Sequence, residues 1–301
     1  LPISVRRGDS SRIVIVSPGA GGSPGLWGAR APGLPWKALR ASLLRDAGEG
    51  AGRALLQCRV PPRFPAADRP QARPLVVCAD DFALNAPVSR AIAQLAGQGR
   101  LTATSAMVLS PLWPDHAAWL APLRGRIDVG LHLDWTSDFA QAAGQGLALG
   151  PLMLRAASRR LDPHRVREAI ERQVDLFEAG WGAPPDHVDG HQHVHQFPVI
   201  REQLVRVLAR RYPRGPGRSR PWLRISRPLR PGTDLKARVI AAMGARALAR
   251  FADREGFAHS AHLTGIYGFD LDRAGYLERL GRWLTQCGQT RQAGGVVLMC
   301  H

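Results

Sequence analysis

Nine consecutive positions, His187-Val188-Asp189-Gly190-His191-Gln192-His193-Val194-His195, carry four histidines and an aspartate. Imidazole nitrogens and carboxylate oxygens are the donors that hold a divalent ion while leaving positions open for water and substrate. Three other places offer matching chemistry. Asp80-Asp81 follows the apolar run Leu75-Val76-Val77-Cys78-Ala79, His132 closes Val129-Gly130-Leu131-His132, and His301 follows Val296-Val297-Leu298-Met299-Cys300. Each has an ordinary explanation when taken singly. Paired aspartates form turns and helix caps, a lone histidine sits in many cores, and a His-rich run can be a solvated loop. Their joint placement is informative, because all four groups end a strand-like run.

Such a set has the logic of a mononuclear metal hydrolase. One carboxylate and two imidazoles hold the ion, which lowers the pKa of a bound water toward about 7 and polarises the carbonyl under attack. A second carboxylate beside the ligand carboxylate takes the water's proton, and a further histidine protonates the leaving group.

The elements that must position these residues are legible as alternating strands and helices. Short apolar runs at Leu75–Ala79, Thr102–Leu109, Ile127–Leu133, Asp186–Asp189 and Val296–Cys300 read as strands, buried on both faces as parallel strands are. Between them lie helical patterns. Asn85 caps a helix with Pro87 in its first turn and Val88, Ile92 and Leu95 on one face. Asp162-Pro163 starts another, striped by Val166, Ile170, Val174 and Phe177, with Gly180 as its stop. Phe197–Arg211 and the stretch through Tyr276, Leu280, Trp283 and Leu284 complete the set. This order predicts an α/β fold with a parallel sheet, open or closed into a barrel, whose chemistry gathers at the carboxyl ends of the strands.

Composition bounds the rest. The chain has 301 residues, ample for one large α/β domain, and no run approaches the eighteen apolar residues of a membrane span. Four scattered cysteines (Cys58, Cys78, Cys287, Cys300) form neither a disulfide framework nor a CxxC site, which points to a reducing, cytoplasmic setting. The net charge of +17 is unevenly spread. Residues 1–73 hold 12 basic and 4 acidic residues with 9 Pro and 10 Gly, a Pro/Gly/Arg-rich composition that predicts a disordered extension, although Trp36–Leu56 has helical spacing. Its one apolar run, Ile13–Val16, is too short for a secretory signal. Arg214–Gly232, with six arginines and four prolines, reads as a loop or broken strand.

From about Leu75 to His301 the sequence resembles the YdjC-like carbohydrate deacetylases, the ChbG/HpnK family. The resemblance rests on Ala79-Asp80-Asp81-Phe82, Val129-Gly130-Leu131-His132, His187 through His195 and Leu298-Met299-Cys300-His301, in that order. It implies a distorted (β/α) TIM-like barrel of mostly parallel strands, related to the polysaccharide deacetylases. The implied activity is metal-dependent removal of N-acetyl groups from an amino sugar or oligosaccharide. By the same resemblance Asp81, His132 and His191 match the metal ligands, Asp80 the general base, His301 the acid, and Arg224 a substrate-side arginine. One divalent ion is implied, zinc by preference over magnesium or manganese given two imidazoles.

Three departures from the family pattern are expected to matter. Ala83 stands where the family has glycine, so a positive φ there would strain the backbone. Residues 1–73 have no counterpart. The family continues past its Cys-His, so the barrel domain, residues 74–301, is expected to lack its C-terminal end. Two other functions are compatible with the residues. A His-rich barrel can hydrolyse phosphate esters with two or three metals, and Arg214–Arg230 with the basic N-terminal stretch could grip nucleic acid. The first strand ending in Asp-Asp and the lack of interleaved aromatics favour the deacetylase, with an N-acetylated sugar as partner, no nucleic acid, and homo-oligomers compatible with the sequence.

Overall fold

Seven short strands, all paired in parallel, form one sheet in the order β5-β4-β3-β2-β1-β7-β6. They are β1 (Leu75–Phe82), β2 (Ala103–Ala106), β3 (Asp128–Leu133), β4 (His187–Gly190), β5 (Trp222–Leu223), β6 (His262–Thr264) and β7 (Val296–Cys300). This is a computed structural model, and it describes residues 75–215, 219–229, 235–289 and 295–301. The expected extension at 1–73 and the helix at Trp36–Leu56 lie outside the described residues.

The sheet curls until its edges meet. Leu223 N donates to Ala258 O at 2.9 Å, Ser260 N to Leu223 O at 3.0 Å, and Leu263 N to Arg227 O at 2.7 Å. These bonds draw the β5 and β6 edges together and satisfy edge groups that would otherwise template foreign strands. The result is the distorted (β/α) barrel that the resemblance implies.

Helices connect the strands: α1 (Ala86–Gly97), α2 (Trp113–Leu120), α3 (Asp138–Ala142), α4 (Leu149–Ala157), α5 (Pro163–Trp181), α6 (Ile200–Arg211), α7 (Leu235–Ala242), α8 (Ala245–Glu255) and α9 (Arg273–Gln289). Local chemistry sets their ends. Asn85 Oδ1 accepts from Val88 N at 2.9 Å and Asp162 Oδ1 from His164 N at 2.8 Å, both N-caps. Helix α5 runs through the expected stop at Gly180 and ends at Gly182, whose φ of 71° makes the left-handed cap. Helix α6 starts at Ile200 rather than Phe197, because Pro198 pushes Phe197 to an extended conformation (φ −68°, ψ 150°). Strand β2 ends at Ala106, three residues early, where the chain turns and Met107 N donates to Phe82 O.

Alternation along the strands divides the molecule into two environments. Outward residues such as Val77, Ala79, Val129, Leu131 and Val188 join the helix faces in the main core, where Trp113 stacks on Phe177 at 5.4 Å. A smaller apolar cluster gathers Val76 and Cys78 of β1 with Trp222, Leu263, Val297 and Met299. On that same face of β1, two residues past Cys78, stands Asp80. The barrel lining therefore changes from apolar to polar toward the carboxyl ends of the strands.

Candidate metal centre

In a regular strand Asp80 and Asp81 would point to opposite faces. The β1–β2 register shifts between Ala79 and Phe82, and Asp81 adopts φ 63°. This irregularity re-aims the second carboxylate, as bulges beside functional sites do. Asp80 stays inside the barrel, 2% exposed, while Asp81 turns to the open rim. Ala83 follows at φ 73°, the left-handed conformation in which the expected strain of alanine over glycine arises.

Asp81, His132 and His191 come together. Asp81 Oδ1 lies 3.3 Å from His132 Nε2 and 3.0 Å from His191 Nδ1, and one donor atom from each residue falls within 4.8 Å of the others. Ligand atoms about 2.0–2.1 Å from a tetrahedral zinc sit ~3.3 Å apart, so this spacing and donor set fit a divalent ion. Asp81 and His191 are 13% and 22% exposed, which leaves one side of the cluster open to water and substrate.

Behind His132 stands a residue the sequence reading placed only as the end of a strand. Asp189 Oδ1 lies 2.6 Å from His132 Nδ1, so that nitrogen donates its hydrogen and Nε2 presents its lone pair to the cluster. The other Asp189 oxygen accepts from Ser105 Oγ at 2.6 Å and forms an ion pair with Arg224 Nη1 at 3.0 Å. Ser105 Oγ in turn meets His187 Nε2 at 3.0 Å. His187 stacks on Trp222 at 4.5 Å and fills the space a side chain at Gly130 would need. Period-2 spacing of 187, 189 and 191 was the available signal that these three face one way.

Electrostatics follow from this geometry. Burial alone would suppress the His132 imidazolium, but Asp189, Asp81 and Asp80 overrule it and lift its pKa to about 10. Burial works against the Asp81 carboxylate as well, yet its bonds to His132 and His191 hold it well below the usual carboxylate range. A cluster of carboxylates that retains a proton is one that favours a cation.

Arg224 is not a surface arginine awaiting substrate. It is fully buried, and its Nη1 and Nη2 donate to Asp80 Oδ1 and Oδ2 at 2.7 and 2.9 Å, a bidentate pair. The resemblance places Arg224 on the substrate side; in the structure both terminal nitrogens are engaged by Asp80. The remaining histidines of the run are also committed inside. His193 Nδ1 meets Ser226 Oγ at 3.1 Å, and His195 Nε2 meets Arg224 O at 2.8 Å. Left-handed φ values at Gln192 and His193 tighten this turn and leave His191 alone aimed at Asp81. His301 is exposed after β7, packs edge-on against Phe269 at 5.0 Å, and lies close enough to Asp80 and Asp81 to feel both charges.

Two further groups share the donor types, Cys78–His187–Asp189 and Asp80–His132–Asp189, but all their members are buried. Burial and the Asp80 charge raise the Cys78 thiol well above its ordinary pKa. Two arginines of the basic stretch are likewise engaged. Arg214 and Arg220 donate to the carbonyls of Arg254, Glu255 and Gly256 at the end of α8, and Arg220 lies 3.6 Å over Phe257.

Residues 74–301 match the YdjC-like protein family. The chain is 34% identical over 142 residues to a chitooligosaccharide deacetylase of Yersinia pestis (strain Pestoides F), covering 45% of this chain and 55% of that protein. It is 32% identical over 143 residues to a chitooligosaccharide deacetylase of Proteus mirabilis (strain HI4320), covering 42% and 54%. The matched part thus spans about half the length of these relatives. A crystal structure from Enterococcus faecalis V583, provisionally named a cellobiose-phosphate cleavage protein, shares the fold with a TM-score of 0.52 at 20% identity, over 75% of this chain and 80% of that one.

Proposed function

The chain belongs to the YdjC-like family, and from that premise we propose that it is a metal-dependent carbohydrate deacetylase, releasing acetate from an N-acetylated amino sugar. One observation carries the reading. Asp81 Oδ1 stands between two imidazole nitrogens at the open end of the barrel, with the carboxylate Asp80 beside it on the same strand. The relatives named chitooligosaccharide deacetylases make N-acetylglucosamine oligomers the first substrates to try.

Asp81, His132 and His191 would hold the ion, zinc before magnesium or manganese because two of three donors are imidazoles. When bound, the ion supplies Lewis acidity toward the acetamide oxygen and acidifies water. The protein's own groups do the remainder. Asp80, both oxygens oriented by Arg224, accepts the proton of the water that attacks the carbonyl carbon. Arg224 is therefore a positioning residue: its two-pronged bond fixes the direction in which Asp80 points. The C–N bond breaks as His301 delivers a proton to the amine, giving acetate and a free amino sugar. Asp189 keeps His132 in the tautomer that presents Nε2.

The two buried groups of like donors are sealed, which favours a single ion over the two or three of a His-rich phosphoesterase. No described helix is long and apolar enough to cross a membrane, and a cytoplasmic setting is our reading for Cys78, Cys287 and Cys300, all free thiols. The test is acetate release from a panel of N-acetylated sugars, with and without chelator. Chelator-sensitive release supports the assignment, whereas phosphate release from sugar phosphates with no acetate would replace it.

A further inference from the structure

We propose that Phe269 is the wall against which the sugar ring stacks, a specificity-determining residue; this rests on the deacetylase reading above. Among the described residues seven that are not glycine have positive φ. Five of them flank the metal centre in sequence: Asp81 near the end of β1, Ala83 just after it, and Gln192, His193 and Val199 after β4. Phe269, at φ 62°, follows β6 and belongs with them. Bulky residues hold this conformation only where the surroundings over-determine it, and such strain concentrates at ligand-binding turns.

The turn is placed by a close backbone approach. Gly265 sits at φ 95°, where an added Cβ would lie 2.1 Å from Met299 O. Without a side chain there, the 265–269 segment lies across the end of β7 and reaches His301. Phe269 contacts the His301 ring edge-on at 5.0 Å and Tyr267 at 4.6 Å. Tyr267 is backed by Tyr276 and Trp283 at 5.5 and 6.1 Å, and its carbonyl accepts from Lys236 Nζ at 2.9 Å. The phenyl ring rests on Tyr267 and lies 5.4 Å from the Lys236 ammonium, yet it is 58% exposed. These contacts do not cover the ring.

A ligand does. The axial C–H face of a pyranose carries slight positive charge and complements the negative face of an aromatic ring. The neighbour is also right. His301 is the group that would protonate the departing amine, so a ring stacked on Phe269 brings its acetamido nitrogen beside that proton. The occupant is thus the N-acetylated sugar itself.

The test compares the unaltered chain with Phe269→Ala, Phe269→Leu and Phe269→Trp on N,N′-diacetylchitobiose. Phe269→Ala should raise KM about 10-fold with kcat changed less than about 2-fold, and Phe269→Trp should restore KM to within about 3-fold. Phe269→Leu, apolar without a π face, should not restore it. Equal rescue by leucine, an unchanged KM, or a loss confined to kcat overturns the proposal. A shift in oligomeric state with sugar affinity intact also overturns it, in favour of a self-association surface. If the unaltered chain releases no acetate, the deacetylase reading fails separately. Saturation-transfer NMR with the same disaccharide then decides. A sugar signal that the unaltered chain gives and Phe269→Ala abolishes supports the wall; a signal equal in the two, or seen with neither, overturns it.

Discussion

Two triads in this barrel look alike on paper. Asp81–His132–His191 and Cys78–His187–Asp189 each gather three candidate ligands within 4.8 Å, and they are bridged by the His132–Asp189 bond. One is open to solvent at the carboxyl ends of β1, β3 and β4. The other lies a layer deeper and is sealed. In the open triad, His132 Nε2 and His191 Nδ1 converge on one carboxylate oxygen. In the closed one, Asp189 is saturated by Ser105, Arg224 and His132, and burial raises the thiol pKa. Residue type and spacing therefore define only a capacity to bind metal. Exposure and prior hydrogen bonds decide whether it is used.

Substituting the open triad is the most severe way to probe this contrast. His132→Ala should abolish metal occupancy and reduce turnover at least about 10³-fold, read by metal analysis and acetate release; full occupancy in the variant would remove His132 from the ligand set. Asp80→Asn should keep the metal and cost about 10²–10⁴-fold in kcat, because it removes the base and spares the ligands. Metal lost together with activity would make Asp80 a ligand. Asp189→Asn attacks the closed half. It should weaken metal binding about 10–100-fold and destabilise the fold by about 3–5 kcal/mol, since Arg224 would lose a buried partner. Chelator competition and chemical denaturation measure the two effects, and a large loss of occupancy without loss of stability would merge the halves into one site.

Smaller effects sharpen the contrast. His187, His193 and His195 are buried and burial lowers the pKa of each, His195 to about 4. They bind protons more readily unfolded than folded. The stability they contribute is complete above about pH 6.5, the ordinary histidine pKa, and is lost as pH falls toward 4. Below about pH 6.5 His132, lifted to about 10, is charged both folded and unfolded, so denaturation midpoints at pH 6.5, 5.5 and 4.5 should fall in that order, and a flat profile would mean these rings ionise inside the fold. Least of all, Ala83→Gly should stabilise by about 0.5–1 kcal/mol through relief of the left-handed alanine, with turnover unchanged; a loss of stability would show that the Ala83 side chain contributes more by packing than its φ costs.

Much of the frame was legible in the residues alone. The runs at Leu75, Ile127, Asp186 and Val296 became β1, β3, β4 and β7, because strands buried on both faces have a distinctive apolar texture. Strands β5 and β6, two and three residues long, left no such trace, and neither did the short helix α3. Within the site, Asp81, His132 and His191 could be singled out, whereas the partners of Arg224 could not. Arg224 was singled out by resemblance alone, and only the fold shows that two carboxylates face it.

The order and chemistry of the donors were written in the chain itself: two adjacent aspartates, a histidine closing the third strand, and a histidine run after the fourth. What those residues do depends on orientation, which sequence encodes weakly. A register shift and one left-handed residue turn Asp81 outward from Asp80. Left-handed Gln192 and His193 leave one of four histidines on the rim. Curling of the sheet closes Arg224 inside. Each outcome follows from side chains more than a hundred positions apart competing for the same small polar interior, and that competition is resolved only when the barrel closes.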